Sequence, residues 1–396
     1  MLNKLRLLTP GPTPLPEEVR LALSRDMIHH RKKDFKKLMA SLQEQLGDLF
    51  GTSGPVLPLS CSGTGAMTAT VYSLFAPGEK VLVVEGGKFG ERWRKIAESR
   101  GLTVVCLPVP FGRAVDPGRV AAIINEDSSI AGILVQSCET STGILHPVDE
   151  IARRTKGRNA LLIVDGVSAV GISPLPMDEL GLDCLLTGSQ KGLMLPPGLS
   201  LLALSPGAWK KAESIRPGCF YFNLPDERKK LESNQTLFTT PVNLIFGLKA
   251  SMDLLLAESL QRIYTKQWAL TMLARQGAKA LGLELFAPEN FAWGLTSIML
   301  PEGVDGVKLL EIAETEYGVC MAGGQDDLKG RLVRLGHMGW VDWSDVLAGL
   351  YALKYALGKV GGYSASRDFM EAAMSAYNCA LETGPGIVPS CSRMRS

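Results

Sequence analysis

Seven short apolar runs mark the first half of the chain: Val56–Ser60, Lys80–Glu85, Thr103–Pro108, Ile130–Gln136, Ala160–Asp165, Asp183–Thr187 and Leu199–Leu204. Most alternate with helix-like segments such as Ala66–Leu74, Arg92–Arg100, Val120–Asn125 and Val148–Arg154. Strands that are apolar on both faces and separated by helices leave few options. They predict an α/β fold in which a large, mostly parallel sheet is covered by helices on both sides.

The rest of the chain reads differently. The proline- and glycine-rich Thr9-Pro-Gly-Pro-Thr-Pro14 predicts an extended arm over residues 1–14. A helical pattern runs from Val242 to about Leu281 with a break near Glu258, long enough to carry the chain out of the first domain. Beyond Gly282, strands (Trp293–Leu300, Arg331–Leu335) mix with helices (Val307–Tyr317, Val341–Leu357). We therefore expect a large domain over 15–257, a smaller α+β domain over 258–381 and a loose tail over 382–396. A length of 396 residues suits two cores, since single cores stop growing at roughly 250–300 residues.

Composition narrows the function classes. A net charge of +2 is too small to suggest a nucleic-acid or membrane-surface binder, and no uncharged stretch reaches the ~20 residues a membrane helix needs. The amino terminus lacks a signal peptide's pattern. The eight cysteines contain no Cys-x-x-Cys pair, and the four histidines have no metal-ligand spacing. The expectation is a cytoplasmic protein with reduced thiols and no metal.

The chemistry-bearing residues cluster at the ends of the predicted strands, where open α/β sheets bind ligands. Asp165 ends one apolar run, and Lys191, 26 positions on (191 − 165 = 26), sits just past the next. An acid and an amine so placed can hold an aromatic aldehyde from two sides, as pyridoxal phosphate chemistry requires. The plainer alternatives are a turn-capping aspartate and a lysine snorkelling from a loop. Against the second, Lys191 is the only charge between Leu185 and Ser205, and apolar surroundings make an amine nucleophilic. Val167 is placed to pack beneath a ring.

Ser62-Gly63-Thr64-Gly65 precedes a helix, where small residues and free amides suit a phosphate. A dinucleotide reading competes, because Glu85 closes the next strand as a ribose-binding acid would. It lacks the third glycine, Thr68 standing there, and leaves Asp165 and Lys191 idle. Phe89 can stack on a ring or fill a core. Thr140 can meet a phenolic oxygen, and Arg334 can grip a carboxylate or a surface acid.

Six segments in order resemble the class V aminotransferases of the fold-type I pyridoxal-phosphate enzymes: Ser62-Gly-Thr-Gly, Phe89-Gly90, Glu139-Thr-Ser-Thr-Gly-Ile-Leu, Val164-Asp165-Gly-Val-Ser, Gly188-Ser-Gln-Lys-Gly and Val333-Arg334-Leu-Gly. The nearest branch looks like the alanine–glyoxylate and serine–glyoxylate (serine–pyruvate) aminotransferases. The resemblance implies a seven-stranded large-domain sheet and pyridoxal 5'-phosphate held as a Schiff base on Lys191. Ser62, Gly63, Thr64 and Gln190 would then bind the phosphate, Phe89 would stack on the ring, Thr140 would meet its hydroxyl, and Asp165 would meet its nitrogen. Thr239 would reach the partner subunit's cofactor in a homodimer with shared active sites. Some relatives carry a tyrosine three residues earlier, where this chain has Thr236. Gly11 would line the substrate pocket and Arg334 would hold the substrate carboxylate.

The implied reaction moves an amino group from alanine or serine to glyoxylate or pyruvate in two half-reactions. Rival readings are an aminotransferase for aspartate, phosphoserine or a phosphonate, a lyase or cysteine desulfurase of the same fold, and an NAD-binding or non-catalytic α/β protein. A dicarboxylate donor would need a second cation, for which Arg31, Arg113 and Arg216 are candidates.

Overall fold

A computed structural model describes residues 4–361 and 368–385. All seven apolar runs become strands of a single sheet: Val56–Leu59, Lys80–Glu85, Thr103–Pro108, Ile130–Gln136, Leu161–Asp165, Cys184–Gly188 and Ser200–Leu204. In space the sheet begins with Val56–Leu59, Ser200–Leu204, Cys184–Gly188 and Leu161–Asp165, and continues through Ile130–Gln136 and Lys80–Glu85 to Thr103–Pro108. Only Ser200–Leu204 runs antiparallel to its neighbours. The central strands are buried along almost their whole length, because helices cover both faces.

The helices begin where the sequence supplies caps. Asp116 accepts a hydrogen bond from Gly118 N at 2.8 Å ahead of Pro117–Glu126, and Ser205 accepts one from Ala208 N ahead of Pro206–Ser214. The long helical stretch divides at Ser259, whose φ of 65° ends Val242–Glu258; its hydroxyl then caps Leu260–Ala280.

A second sheet of five strands lies over its own core. Its spatial order is Arg6–Leu8, Val319–Gly323, Leu332–Gly336, Leu295–Met299 and Glu284–Leu285. Part of the amino-terminal arm is a strand, Arg6–Leu8, pairing parallel with Val319–Gly323. Leu8, Leu273, Leu309, Leu335 and Leu353 are among the buried side chains of that core. Several helices went unanticipated, Glu17–Leu23, Pro206–Ser214 and Leu224–Leu231 among them. So did Phe369–Thr383, which packs Phe369, Ala373, Ala376 and Ala380 inward, so Glu382 and Thr383 of the expected tail are helical. Residues 386–396 of that tail lie outside the described residues.

Candidate active site

Asp165 and Lys191 follow adjacent parallel strands, on the carboxyl-end side of the sheet. Lys191 is 7 % exposed. Its Nζ donates to the carbonyl of Pro10, and its own carbonyl accepts from the Thr13 hydroxyl at 3.1 Å. Thr13 N also donates to Gln190 O. The amino-terminal arm thus lies directly over the amine. Gly11 allows this approach: its φ is +110°, and a Cβ there would stand 2.6 Å from Lys191 Cε. Burial lowers the amine to about 8, with Arg334 and Arg92 adding to the effect and Cys138 and Asp165 opposing it. Such an amine is far more available as a nucleophile at neutral pH than a solvated one.

Asp165 is 4 % exposed, and burial raises its carboxyl to about 6. Its one hydrogen bond comes from Val167 N at 2.8 Å, and among the described residues no cation pairs with it. Val167 lies against the opposite wall, 2.8 Å from where a Cβ on Gly63 would stand. That contact joins the Asp165 loop to the start of the helix Gly63–Leu74. Ser62 precedes that helix without using its side chain as a cap, and the first intrahelical bond is Ala66 N to Ser62 O. The amides of Gly63, Thr64 and Gly65 are left free for an anion.

Three further residues complete the enclosure. Phe89, half-buried at the start of Lys88–Ser99, gives its N–H to Glu139. Thr140 hydrogen-bonds Ser168 through its hydroxyl at 2.7 Å, and its carbonyl accepts from Arg334 Nη1 at 3.0 Å. Arg334 also donates from Nε to Gly323 O, so two backbone carbonyls aim the guanidinium while its Nη2 has no hydrogen bond among the described residues. Gln190 is next to Lys191, and its amide oxygen is buried without a hydrogen bond. Rotating that amide would present its NH₂ to an anion instead.

Two groups carry roles that the sequence reading did not assign. Glu139 is fully buried and accepts from Phe89 N, Gly90 N, Ser141 N, the Ser141 hydroxyl and Gln136 Nε2. Burial pushes its carboxyl up while these bonds pull against that, and the loop carrying Phe89 is fixed by it. Arg92, one turn after Phe89, lies 4.7 Å over the phenyl ring and donates to the Thr64 hydroxyl. Its spacing of three from Phe89 was the available signal.

Other expectations resolve elsewhere. Thr239 is exposed and makes no hydrogen bond among the described residues, so a single chain does not bring it to the cluster. Thr236 is buried and bonds its own loop, at Phe238 O. Arg31 donates to Gln235 Oε1 and to the Thr236 and Leu237 carbonyls, which removes it as a free second cation. Glu85 is bound by Arg94 at 2.7 Å and by the Cys106 thiol, which leaves the dinucleotide reading without its ribose acid. Among the described residues no cluster of His, Cys, Asp or Glu is arranged for a metal, and no helix is long and apolar enough to cross a membrane.

The arrangement fits pyridoxal phosphate on three counts: a buried amine of lowered basicity, a buried acid with no counter-ion, and free amides at a helix start. The family model for aminotransferase class V matches residues 13–340. The chain is 37% identical over 364 residues to a protein of Synechococcus sp. (strain PCC 6716) named soluble hydrogenase, small subunit, covering 91% of this chain and 95% of the relative. It is 32% identical to the serine–glyoxylate aminotransferase of Methylorubrum extorquens, covering 89% and 90%. Among solved structures, an aspartate aminotransferase from Thermus thermophilus superposes with a TM-score of 0.83 at 34% identity, covering 90% of this chain and 99% of that one.

Proposed function

We propose a function from one premise: the chain belongs to the class V aminotransferases, fold-type I enzymes that depend on pyridoxal 5'-phosphate. It is a transaminase. Our reading is that it moves the amino group of alanine or serine to glyoxylate or pyruvate, acting as a homodimer in the cytoplasm. The seven described cysteines are all free thiols, which suits a reducing compartment.

The observation that carries this reading is Lys191: a buried amine lowered to about 8, closed in by Pro10 and Gly11, with an unpaired acid nearby. When bound, pyridoxal phosphate draws electrons away from the substrate bond to be broken. Lys191 would hold it covalently, and its Nζ would accept the proton from the substrate Cα. Asp165 keeps a proton on the ring nitrogen, which a buried carboxylate with no other cation does well. Val167 and Phe89 would pack against the ring, and Thr140 would meet its hydroxyl. Ser62, Gly63, Thr64 and Gln190 hold the phosphate, and Thr239 of each subunit reaches across to its partner. Arg334 would grip the substrate carboxylate, and Gly11 would line the substrate pocket.

A small donor is favoured because Arg31 is spent on backbone carbonyls, while Arg113 and Arg216, the other candidate second cations, are exposed. Similarity to the Thermus thermophilus enzyme supports aspartate as the second reading. The test is a half-reaction panel of alanine, serine, glycine, aspartate and phosphoserine, read as loss of the cofactor's yellow absorbance. Alanine or serine should discharge it; response to aspartate or phosphoserine alone would replace our donor assignment. Lys191→Ala should abolish amino-group exchange, and exchange at the wild-type rate would end the proposal.

A further inference from the structure

The helix Lys88–Ser99 carries two arginines with opposite circumstances. Arg94 is neutralised by Glu85 at 2.7 Å and Glu98 at 3.1 Å. Glu91, the remaining acid on the helix, is taken by Lys88 and Lys95. Arg92 is half-buried and has no carboxylate within ion-pair distance among the described residues. Its two contacts are both residues of the cofactor site: the Thr64 hydroxyl at 3.1 Å from Nη1, and the Phe89 ring at 4.7 Å from Cζ.

We propose that Arg92 is a positioning residue for the phosphate end of the cofactor, acting through Thr64 and supplying positive charge there. This rests on the cofactor reading above and goes beyond it, since none of the phosphate-binding segments includes Arg92. A hydroxyl has one O–H and two lone pairs. Because Thr64 Oγ1 accepts from the guanidinium, its proton is free to point at an anion. Thr64 is also the second residue of Gly63–Leu74, so that O–H and the free amides of the first turn serve the same place. The guanidinium covers one face of Phe89 and leaves the other to a ring. A planar fork can stack and donate sideways together; a lysine ammonium can do only one of the two.

The experiment strips the cofactor from full-length protein and titrates it back with pyridoxal 5'-phosphate and, separately, with pyridoxal, which lacks the phosphate. Arg92→Gln should weaken the phosphate ester by about tenfold or more, the scale of one lost charge-assisted hydrogen bond, and pyridoxal distinctly less. Arg92→Lys should fall between, and the loss for Arg92→Gln combined with Thr64→Val should be smaller than the sum of the two single losses, because the two groups are coupled. Equal losses for both ligands would overturn the proposal by making Arg92 a mere prop for the fold. So would unchanged affinity for the ester, including the case in which only aspartate turnover suffers because the cation reads a substrate carboxylate. If Arg92→Gln does not fold, Arg92→Lys alone decides by the same ratio. Failure of the wild-type protein to bind the ester would instead remove the cofactor reading itself.

Discussion

Asp165 and Arg334 are both buried charges within electrostatic reach of Lys191, yet they are held in opposite ways. Arg334 is 8 % exposed and anchored by the Gly323 and Thr140 carbonyls; burial lowers its basicity, but the cation keeps partners and an aim. Asp165 has a single backbone N–H and is raised to about 6. One charge is already satisfied and serves to orient. The other is left short of partners, and a bound cation is what would relieve it. The contrast separates positioning from chemistry before any ligand is present.

The largest expected effect breaks the Asp165 side. Asp165→Asn removes the acid opposite the ring nitrogen and should lower kcat by about 10²–10³-fold, the usual cost of one preorganised electrostatic partner, with KM little changed. Steady-state kinetics with the preferred donor decides it, and a fall of less than a few-fold would reject the assignment. Next, Arg334→Gln should raise KM for the amino acid by about 10–100-fold with a smaller change in kcat, since it removes a carboxylate grip. A kcat loss matching that of Asp165→Asn would erase the distinction drawn here.

The smallest effect concerns stability without cofactor. The folded value of about 6 lies above the ordinary 3.8, so folding binds the proton more tightly than the unfolded chain does. The ionised acid therefore penalises the native state above pH 6, by about 3 kcal/mol, and the penalty fades as pH falls through 6 towards 4. Melting of cofactor-free Asp165→Asn should exceed wild type by a few degrees at pH 7–8 and converge with it near pH 4. A gap that widens towards acid would have the wrong sign.

How much the sequence disclosed follows from how each part is stabilised. The seven large-sheet strands are buried on both faces, so each appears as an uninterrupted apolar run with a defined end, and Asp165 and Lys191 were visible because they stand at those ends. The five-stranded sheet was half visible. Val319–Gly323 is only partly buried, and Arg6–Leu8 is three residues whose partner lies far along the chain, a pairing no local pattern records. Phe369–Thr383 did leave a signal, the inward stripe Phe369, Ala373, Ala376 and Ala380 at helical spacing. Arg92 and Glu139 were hidden for another reason. A charge on an amphipathic helix or in a polar loop reads as solvated, and only the fold reveals which ones face a ring, a hydroxyl or a row of amides.

The pairing of Arg6 with Val319 spans 313 positions (319 − 6 = 313). The residues that follow it, Pro10 to Thr13, lie on Lys191 and Gln190. On the ribosome, Arg6–Leu8 must therefore wait for the strand at Val319–Gly323 before the segment is anchored on both sides. Closing so long a loop adds little entropy over a shorter one, but it places the event late. The cover over the reactive amine is thus translated long before the strand that secures it, so a chain cut short before residue 319 would carry Lys191 without its fully fastened lid.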